Sequence, residues 1–386
     1  MRYVIVGNGI AGITAAESIR SIDREGEILV ISDEDVPFYY RIRLTEVLSG
    51  DMALQDIIAR DANWYETNGI TQLRGRKITG GDPQDRIVID SNGEQYKYDR
   101  LLLANGSHSF VPPIQGAEHP GVFTLRNAAD AERIIDYAQK CTDVVMIGGG
   151  LLGLEAGNAL RRRGLKVTVV EFFPRLLPRQ LDNKGALRLT AIMEEMGFRF
   201  RLGSITGQIE GSHGVDKLVL KDGEILAADM VVISAGVRPN LKLASRLGLR
   251  CDKGVKVDSK LRTSRENVYA AGDICEHEGT VYGIWPAALQ QGRVAGRVMA
   301  GAEAEYNGTV MANKLKVVGI DLAAVGEIDA AEKYDSHVRD SESVYRKFVV
   351  DGDRLIGAIL LGDTSGYGKI ARAINEGTSW SQLDLM

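Results

Sequence analysis

The side chains best placed to do chemistry in this sequence are carboxylates that follow short apolar runs. Glu171 closes the run Val167 to Val170, and Asp273 follows Val268 to Ala270 after Ala271 and Gly272. Asp33 and Glu34 follow a third run, Glu27 to Ser32. A carboxylate at the end of a buried strand can accept two sugar hydroxyls at once. Cations and aromatics cluster in Val36 to Asp51, where Tyr39 and Tyr40 precede Arg41 and Arg43; such a group can stack on a ring and neutralise a phosphate. Thiol chemistry has little support. Cys141, Cys251 and Cys275 are scattered, no cysteine precedes Cys141, and neither a disulfide framework nor a metal-ligand spacing is present. The histidines (His108, His119, His213, His277, His337) also lack ligand spacing, so no metal site is expected.

The elements that must position these groups are two glycine-rich turns. Tyr3 to Val6 reads as a strand, Gly7-Asn8-Gly9-Ile10-Ala11-Gly12 as a turn, and Ile13 to Ile22 as a small-residue helix. Val144 to Ile147 repeats the strand, and Gly148-Gly149-Gly150-Leu151-Leu152-Gly153 repeats the turn, each motif glycine lying 141 residues after its counterpart. In such a unit the first glycine permits the turn, the second lets backbone approach a pyrophosphate, and the third lets helix and strand pack closely. The free N–H groups of the following helix face the phosphates. Two dinucleotide sites are therefore expected, and the first turn alone does not fix its occupant.

At the second site Glu171 favours NADH over NADPH. A like charge at ~4 Å and an effective dielectric of ~20 costs about 4 kcal/mol, which Arg175, four residues on, can soften. Glu155, two residues beyond Gly153, is expected towards the nicotinamide end, and Gly236 in VVISAGVRPN allows close backbone approach. At the first site Asp273 is placed to accept from the hydroxyls of an extended polyol, and Gly272 clears space for phosphate. The helix Pro286 to Gly301 follows Trp285 and offers its positive N-terminus. Hairpins are expected around Ser91-Asn92-Gly93, Asp222-Gly223 and Asp351-Gly352.

Composition sets the outer bounds. A chain of 386 residues, 44% hydrophobic and 26% charged, suits two or three soluble domains, and its 44 glycines fit repeated tight turns. A net charge of −5 argues against general nucleic-acid binding. No run approaches 18 apolar residues, so no membrane span is expected. With the first strand at the very start no signal peptide is expected either, and a reducing, cytoplasmic setting follows.

Taken together, GNGIAG, YDRLLLANGS, GGGLLGLE with VTVVE, GVRPN and TSRENVYAAGD resemble, in order along the whole chain, the two-dinucleotide flavoproteins of the pyridine nucleotide–disulfide oxidoreductase superfamily. YYRIRLTEVLSGD, RQLD (Arg179 to Asp182) and LKVVGIDLAAVGEI (Leu315 to Ile328) are similar to NADH:rubredoxin reductases and to the flavoprotein module at the front of bacterial nitrite reductase large subunits. The resemblance implies an α/β fold with two Rossmann-like three-layer domains, β-meander inserts and a small α+β C-terminal domain. The implied boundaries are 1–110 with 237–302 for FAD, 111–236 for NAD, and 303–386 for a C-terminal interface domain. It implies FAD held by Gly7, Asn8, Gly9, Gly12, Asp33, Glu34, Arg41, Ile78, Ala104, Gly106, Arg126, Gly272, Asp273 and Trp285. It implies NADH held by Gly148, Gly150, Leu151, Leu152, Gly153, Glu155, Glu171 and Gly236.

Three departures bear on function. With the sequence ending at Met386, no iron–sulfur or sirohaem part is expected. Asn105 replaces the usual threonine of its turn. Glu46 stands where some relatives hold a reactive lysine, which leaves Arg43 as the expected partner of Glu155. With no early cysteine to receive electrons, an external acceptor is expected, a small iron protein such as rubredoxin. The alternatives are an NADH oxidase using oxygen, a donor subunit in a nitrite-reductase-type complex, and a nucleotide-binding redox sensor; the chain is expected to be a monomer or homodimer. Lys314, Lys316, Arg346 and Lys347 are the expected basic rim for an acidic carrier, His277 the one histidine expected near the flavin, and Cys275 a packed thiol.

Overall fold

A computed structural model describes residues 1–309, 312–341 and 344–383. Strand Arg2–Val6 is apolar on both faces and is buried from Tyr3 to Val6, as a central strand of a parallel sheet must be. It lies at the middle of a five-stranded sheet ordered Val268–Ala270, Arg100–Leu103, Arg2–Val6, Glu27–Ile31, Ile70–Leu73, every pair parallel. Helix Ile10–Ile22 begins three residues before the expected Ile13, because Gly9 already adopts the extended conformation of an N-cap. This helix packs on helix Trp285–Met299 with almost no space between backbones. A Cβ at Gly292 or Gly296 would collide with the carbonyls of Ala11 and Ala15.

A second five-stranded parallel sheet repeats the plan, ordered Arg199–Leu202, Lys166–Glu171, Asp143–Ile147, Met230–Ile233, Val122–Thr124. Each sheet is accompanied by a three-stranded antiparallel meander, Ile78–Asp82 with Ile87–Asp90 and Gln95–Lys97 in one case, Thr206–Glu210 with Lys217–Leu220 and Ile225–Ala227 in the other. The chain leaves the first sheet through Ser107–Ser109 and returns through Val237–Pro239, and these two strands pair with each other. Beside them the Asn105 side-chain amide donates to the Asn240 carbonyl at 3.1 Å, and the Asn240 amide donates to the Asn105 carbonyl at 2.7 Å. The departure at Asn105 is thus part of a reciprocal lock between outward and return segments.

The C-terminal part is a five-stranded antiparallel sheet ordered Ala312–Val317, Ile320–Gly326, Arg354–Leu361, Tyr345–Asp351, Asp335–Asp340, with helix Tyr367–Glu376 against it. The expected hairpin at Asp351-Gly352 joins two of these strands. A buried polar cluster ties the sheet to the second unit. The Tyr345 hydroxyl donates to Asp182 at 2.7 Å, and Lys347 Nζ lies 3.0 Å from the Asp329 carbonyl and 3.4 Å from Asp182. Lys347 is 3% exposed, so it does not belong to a basic rim. Arg346 is paired with Asp363. The side chains of Lys314 and Lys316 lie outside the described residues. The mixed α/β class with a small α+β C-terminal part is as expected, and no helix among the described residues is long and apolar enough to cross a membrane.

Candidate functional site

The two turns have the same internal geometry. Gly7 and Gly148 sit at φ +111° and +114°, a region open to glycine, and a Cβ at either would strike the carbonyl of the neighbouring strand's exit, Ala104 or Ser234. A Cβ at Gly12 or Gly153 would strike the carbonyl of Gly7 or Gly148. Gly9 and Gly150, by contrast, face open space. Both are N-caps without a side-chain cap, and neither helix has an acid in its first turn. Each turn therefore presents uncapped N–H groups and a positive helix end to an anion.

In front of the first turn lies a cavity of about 1620 Å³. Every residue expected at the flavin site lines it except Gly12, which packs behind the turn. Asp273 Oδ2 accepts from Arg126 Nη2 and from Ser107 Oγ, both at 2.8 Å. Arg41 joins Glu34 to the Arg126 carbonyl. Tyr39, whose phenol is raised well above its ordinary pKa chiefly by burial, donates to Glu34 at 2.6 Å and accepts from the Ala128 N–H. A continuous polar strap thus runs from Glu34 to Asp273, while Asp33 is exposed. Two polar atoms on the cavity wall are buried and unpartnered, the donor Asn8 Nδ2 and the acceptor Asn105 Oδ1. The other end of the Asn8 amide accepts from the Tyr65 hydroxyl at 2.8 Å. At the mouth Phe38, Tyr40 and Trp285 pack ring on ring at 5.9 to 6.3 Å.

At the second turn Glu171 is 6% exposed. Its carboxylate accepts from the Gly149 N–H at 2.5 Å and from the Phe173 N–H at 2.8 Å, which fixes its orientation and leaves lone pairs for hydroxyl donors. Arg175 makes no ion pair with Glu171 among the described residues; its guanidinium donates to the carbonyls of Leu181 and Pro178. Leu151 is half-buried, whereas Leu152 projects forward and lines the first cavity. Gly236 has φ +94° and open space around it.

Glu155 accepts from the Val318 N–H at 2.7 Å, at the tip of a C-terminal hairpin. Burial raises its pKa, and the nearby Glu46 charge adds to the shift. Arg43 does not partner Glu155. It forks onto Glu46 at 2.6 to 3.1 Å, three residues away on the same turn, a shorter reach than across to the next helix. His277 is also not at the cavity: it is buried against the Tyr306 ring at 5.0 Å. Cys275 is fully buried and its thiol is pushed up to about 12 by burial, as a packed thiol should be.

The profile of the pyridine nucleotide-disulphide oxidoreductase family matches residues 1–292. The chain belongs to that family. A second profile, the rubredoxin NAD+ reductase C-terminal domain, matches residues 312–378. An assimilatory nitrate reductase electron transfer subunit of Bacillus subtilis is 36% identical over 94% of the chain and 48% of its own length. The NADH-rubredoxin oxidoreductase of Clostridium acetobutylicum is 28% identical over 99% of the chain and 96% of its own length. Among solved structures, an NAD-dependent persulfide reductase from A. fulgidus superposes with a TM-score of 0.93 at 27% identity, covering 100% of this chain and 79% of that one. The chain spans about half the length of the nitrate- and nitrite-reductase relatives it matches.

Several residues of this site escape a reading of motifs. Ser107 and Tyr65 hold Asp273 and Asn8 through contacts distant in sequence. Gln291 accepts from the Gly272 N–H at 2.8 Å; a glutamine on the small-residue face of a buried helix was the signal available for it. Phe173 acts through its backbone, which no side-chain pattern reveals.

Proposed function

We propose that this chain is an FAD-dependent oxidoreductase that takes electrons from NADH and delivers them to an external carrier, a small iron protein of the rubredoxin type. The observation that carries this reading is the position of Leu152. It stands in the second turn's helix yet lines the cavity of the first turn, so ligands held by the two turns approach each other there. The cavity suits a flavin dinucleotide. Its volume exceeds the roughly 300–1,000 Å³ of common ligand pockets, it has open space at Gly9 for a pyrophosphate, and it offers an unpartnered donor and acceptor at Asn8 and Asn105. Bound FAD supplies the exchange between a two-electron donor and a one-electron acceptor.

The chain's own residues do the rest. The helix N-termini after Gly9 and Gly150 bind the two pyrophosphates. Asp273, held by Arg126 and Ser107, accepts polyol hydroxyls. Glu171, held by two backbone N–H groups, accepts the adenosine ribose hydroxyls and disfavours a 2′-phosphate. Glu155, with one oxygen on Val318, has the other to orient the nicotinamide. Leu152, Phe38 and Trp285 exclude water where the rings meet. Among the described residues no cysteine lines the cavity, which supports an acceptor outside the chain. We divide the chain at the strands that cross between sheets: 1–110 with 237–302, 111–236, and 303–386. The three free cysteines fit a reducing, cytoplasmic compartment.

A second reading, an electron-donor module within a nitrate- or nitrite-reducing assembly, draws on the 36% identity to the Bacillus subtilis electron transfer subunit. Anaerobic NADH oxidation against rubredoxin, ferredoxin, a cytochrome and a sirohaem nitrite reductase fragment separates the two. The expected outcome is fastest turnover with rubredoxin. Preference for the sirohaem fragment selects the second reading, and an acceptor rate no greater than that with oxygen overturns both.

A further inference from the structure

The chain passes between the two nucleotide units through one two-stranded ribbon, Ser107–Ser109 with Val237–Pro239, so contacts across the seam must set the spacing of the two turns. Helix Leu151–Arg162 starts at the second turn, and Leu152 in its first turn lines the first cavity. Helix Leu44–Ser49 of the first unit starts at the same cavity, which Leu44 lines. The two helices pack on each other and bury Val47, Leu48, Leu154 and Leu160 in one core. Those apolar contacts are non-directional; directional ones lie at the far ends. There the Arg163 Nε donates to the Leu48 carbonyl, and its Nη2 lies 3.5 Å from the Val47 carbonyl. The Leu48 carbonyl sits in the last turn of its helix and accepts from no backbone N–H among the described residues. It is one of the orphan acceptors that a helix end leaves, and a guanidinium from the other unit fills it. Gly50, at φ +85°, leaves the room: a Cβ there would lie 3.3 Å from Arg163 Nη2. Beside this contact Arg162 forks onto both oxygens of Asp51, one of them at 2.6 Å. That pair is 47% and 41% exposed, and exposed ion pairs hold little by themselves. The Arg163 contact is charge-assisted and made to backbone, so it is the stronger fix on position. Both helices thus begin at one cavity and end at one clasp.

We propose that Arg163 is a positioning residue for electron transfer between the two sites. It caps a helix of the first unit from the end of the helix that carries the second turn, and so sets how closely the nicotinamide approaches the flavin. It touches neither nucleotide and acts through the two helices. This rests on the reading of the two turns as FAD and NADH sites. A displacement of about 1 Å between reacting groups can cost about 100-fold in rate, whereas each nucleotide is held by residues near its own turn and keeps its affinity.

The test pairs stopped-flow reduction of the flavin-loaded protein by NADH with amide hydrogen exchange of the same protein without NADH. In Arg163→Ala the limiting rate of flavin reduction is expected to fall about tenfold or more, while flavin content and the ADP-ribose Kd hold. The amides of Gly50 to Met52 exchange faster, and those of Asp143–Ile147 do not. Arg163→Lys, which keeps one donor for the Leu48 carbonyl, recovers part of the rate, and Arg162→Ala alone loses less than Arg163→Ala. An unchanged limiting rate in Arg163→Ala overturns the proposal. So does a loss of rate matched by lost flavin or weakened ADP-ribose binding, and so does Arg163→Lys no faster than Arg163→Ala. If NADH does not reduce the flavin of the natural protein, the reading of the two sites falls and the role of Arg163 falls with it.

Discussion

Replacing Glu171 with glutamine isolates the charge that we hold responsible for nucleotide choice. The carboxylate is almost fully buried and hydrogen-bonded to Gly149 and Phe173, and it makes no ion pair among the described residues. A 2′-phosphate brought to ~4 Å at an effective dielectric of ~20 meets about 4 kcal/mol of repulsion per unit charge. Relief of that term sets a ceiling of roughly a thousandfold on the gain in kcat/KM for NADPH; solvent screening and relaxation reduce the expected gain to about 10- to 100-fold. The same change weakens NADH. A carboxamide offers one acceptor oxygen to two backbone N–H groups, and a hydrogen bond from ribose to a charged acceptor, worth ~1.5–3 kcal/mol, becomes a neutral one. The kcat/KM for NADH should fall about tenfold or more, and the NADH:NADPH preference should shrink by at least two orders of magnitude. Steady-state assays with both nucleotides and one artificial acceptor measure the ratio. A ratio unchanged in Glu171→Gln refutes the assignment of selectivity to this carboxylate.

Three other perturbations follow from the packing. Gly292→Ala drives a methyl into the Ala11 carbonyl and should cost about 1–3 kcal/mol, seen as a lower Tm together with a reduced flavin content on purification. An unchanged Tm would show that the two helices separate freely. Lys347→Met leaves the Asp182 carboxylate buried without its cation and should cost about 3–5 kcal/mol by urea unfolding; a loss below ~1 kcal/mol would mean that Tyr345 and the Gly185 N–H suffice. Burial holds the Cys275 thiol up near about 12 and Cys141 near about 11, so both stay protonated at pH 8. Iodoacetamide should leave Cys275 unlabelled in the folded protein and label it on unfolding, as mass spectrometry of the peptides reads directly.

Motif spacing carried most of this fold because the first and third glycines of each turn are fixed by a local collision, and local collisions leave a regular mark in sequence. The places of Glu171 at the end of one strand and of Asp273 three residues beyond another were legible because a strand end fixes the course of the chain that leaves it. Arg43 was misread because charge alone does not distinguish a partner three residues away from one on another helix. Lys347 was misread because a lysine directly after Arg346 in a strand resembles a surface residue. Only the tertiary position of Asp182 and the Asp329 carbonyl shows it to be inside. Ser107 and Gln291 were silent because their partners lie 166 and 19 residues away and belong to other elements.

The ribbon formed by Ser107–Ser109 and Val237–Pro239 has a consequence for synthesis. All five strands of the second sheet, Val122 to Ile233 at their limits, lie between the two halves of that ribbon, whereas the first sheet lacks its edge strand until Val268–Ala270 is made. Emerging from the ribosome at about 5–20 residues per second, the chain exposes a complete second sheet while Arg100–Leu103 still has a bare edge. The unit that begins first is completed last. Its helix Ile10–Ile22 must wait longer still, for the glycine face of Trp285–Met299, so the earliest nucleotide turn on the chain becomes a finished binding site only after the later one.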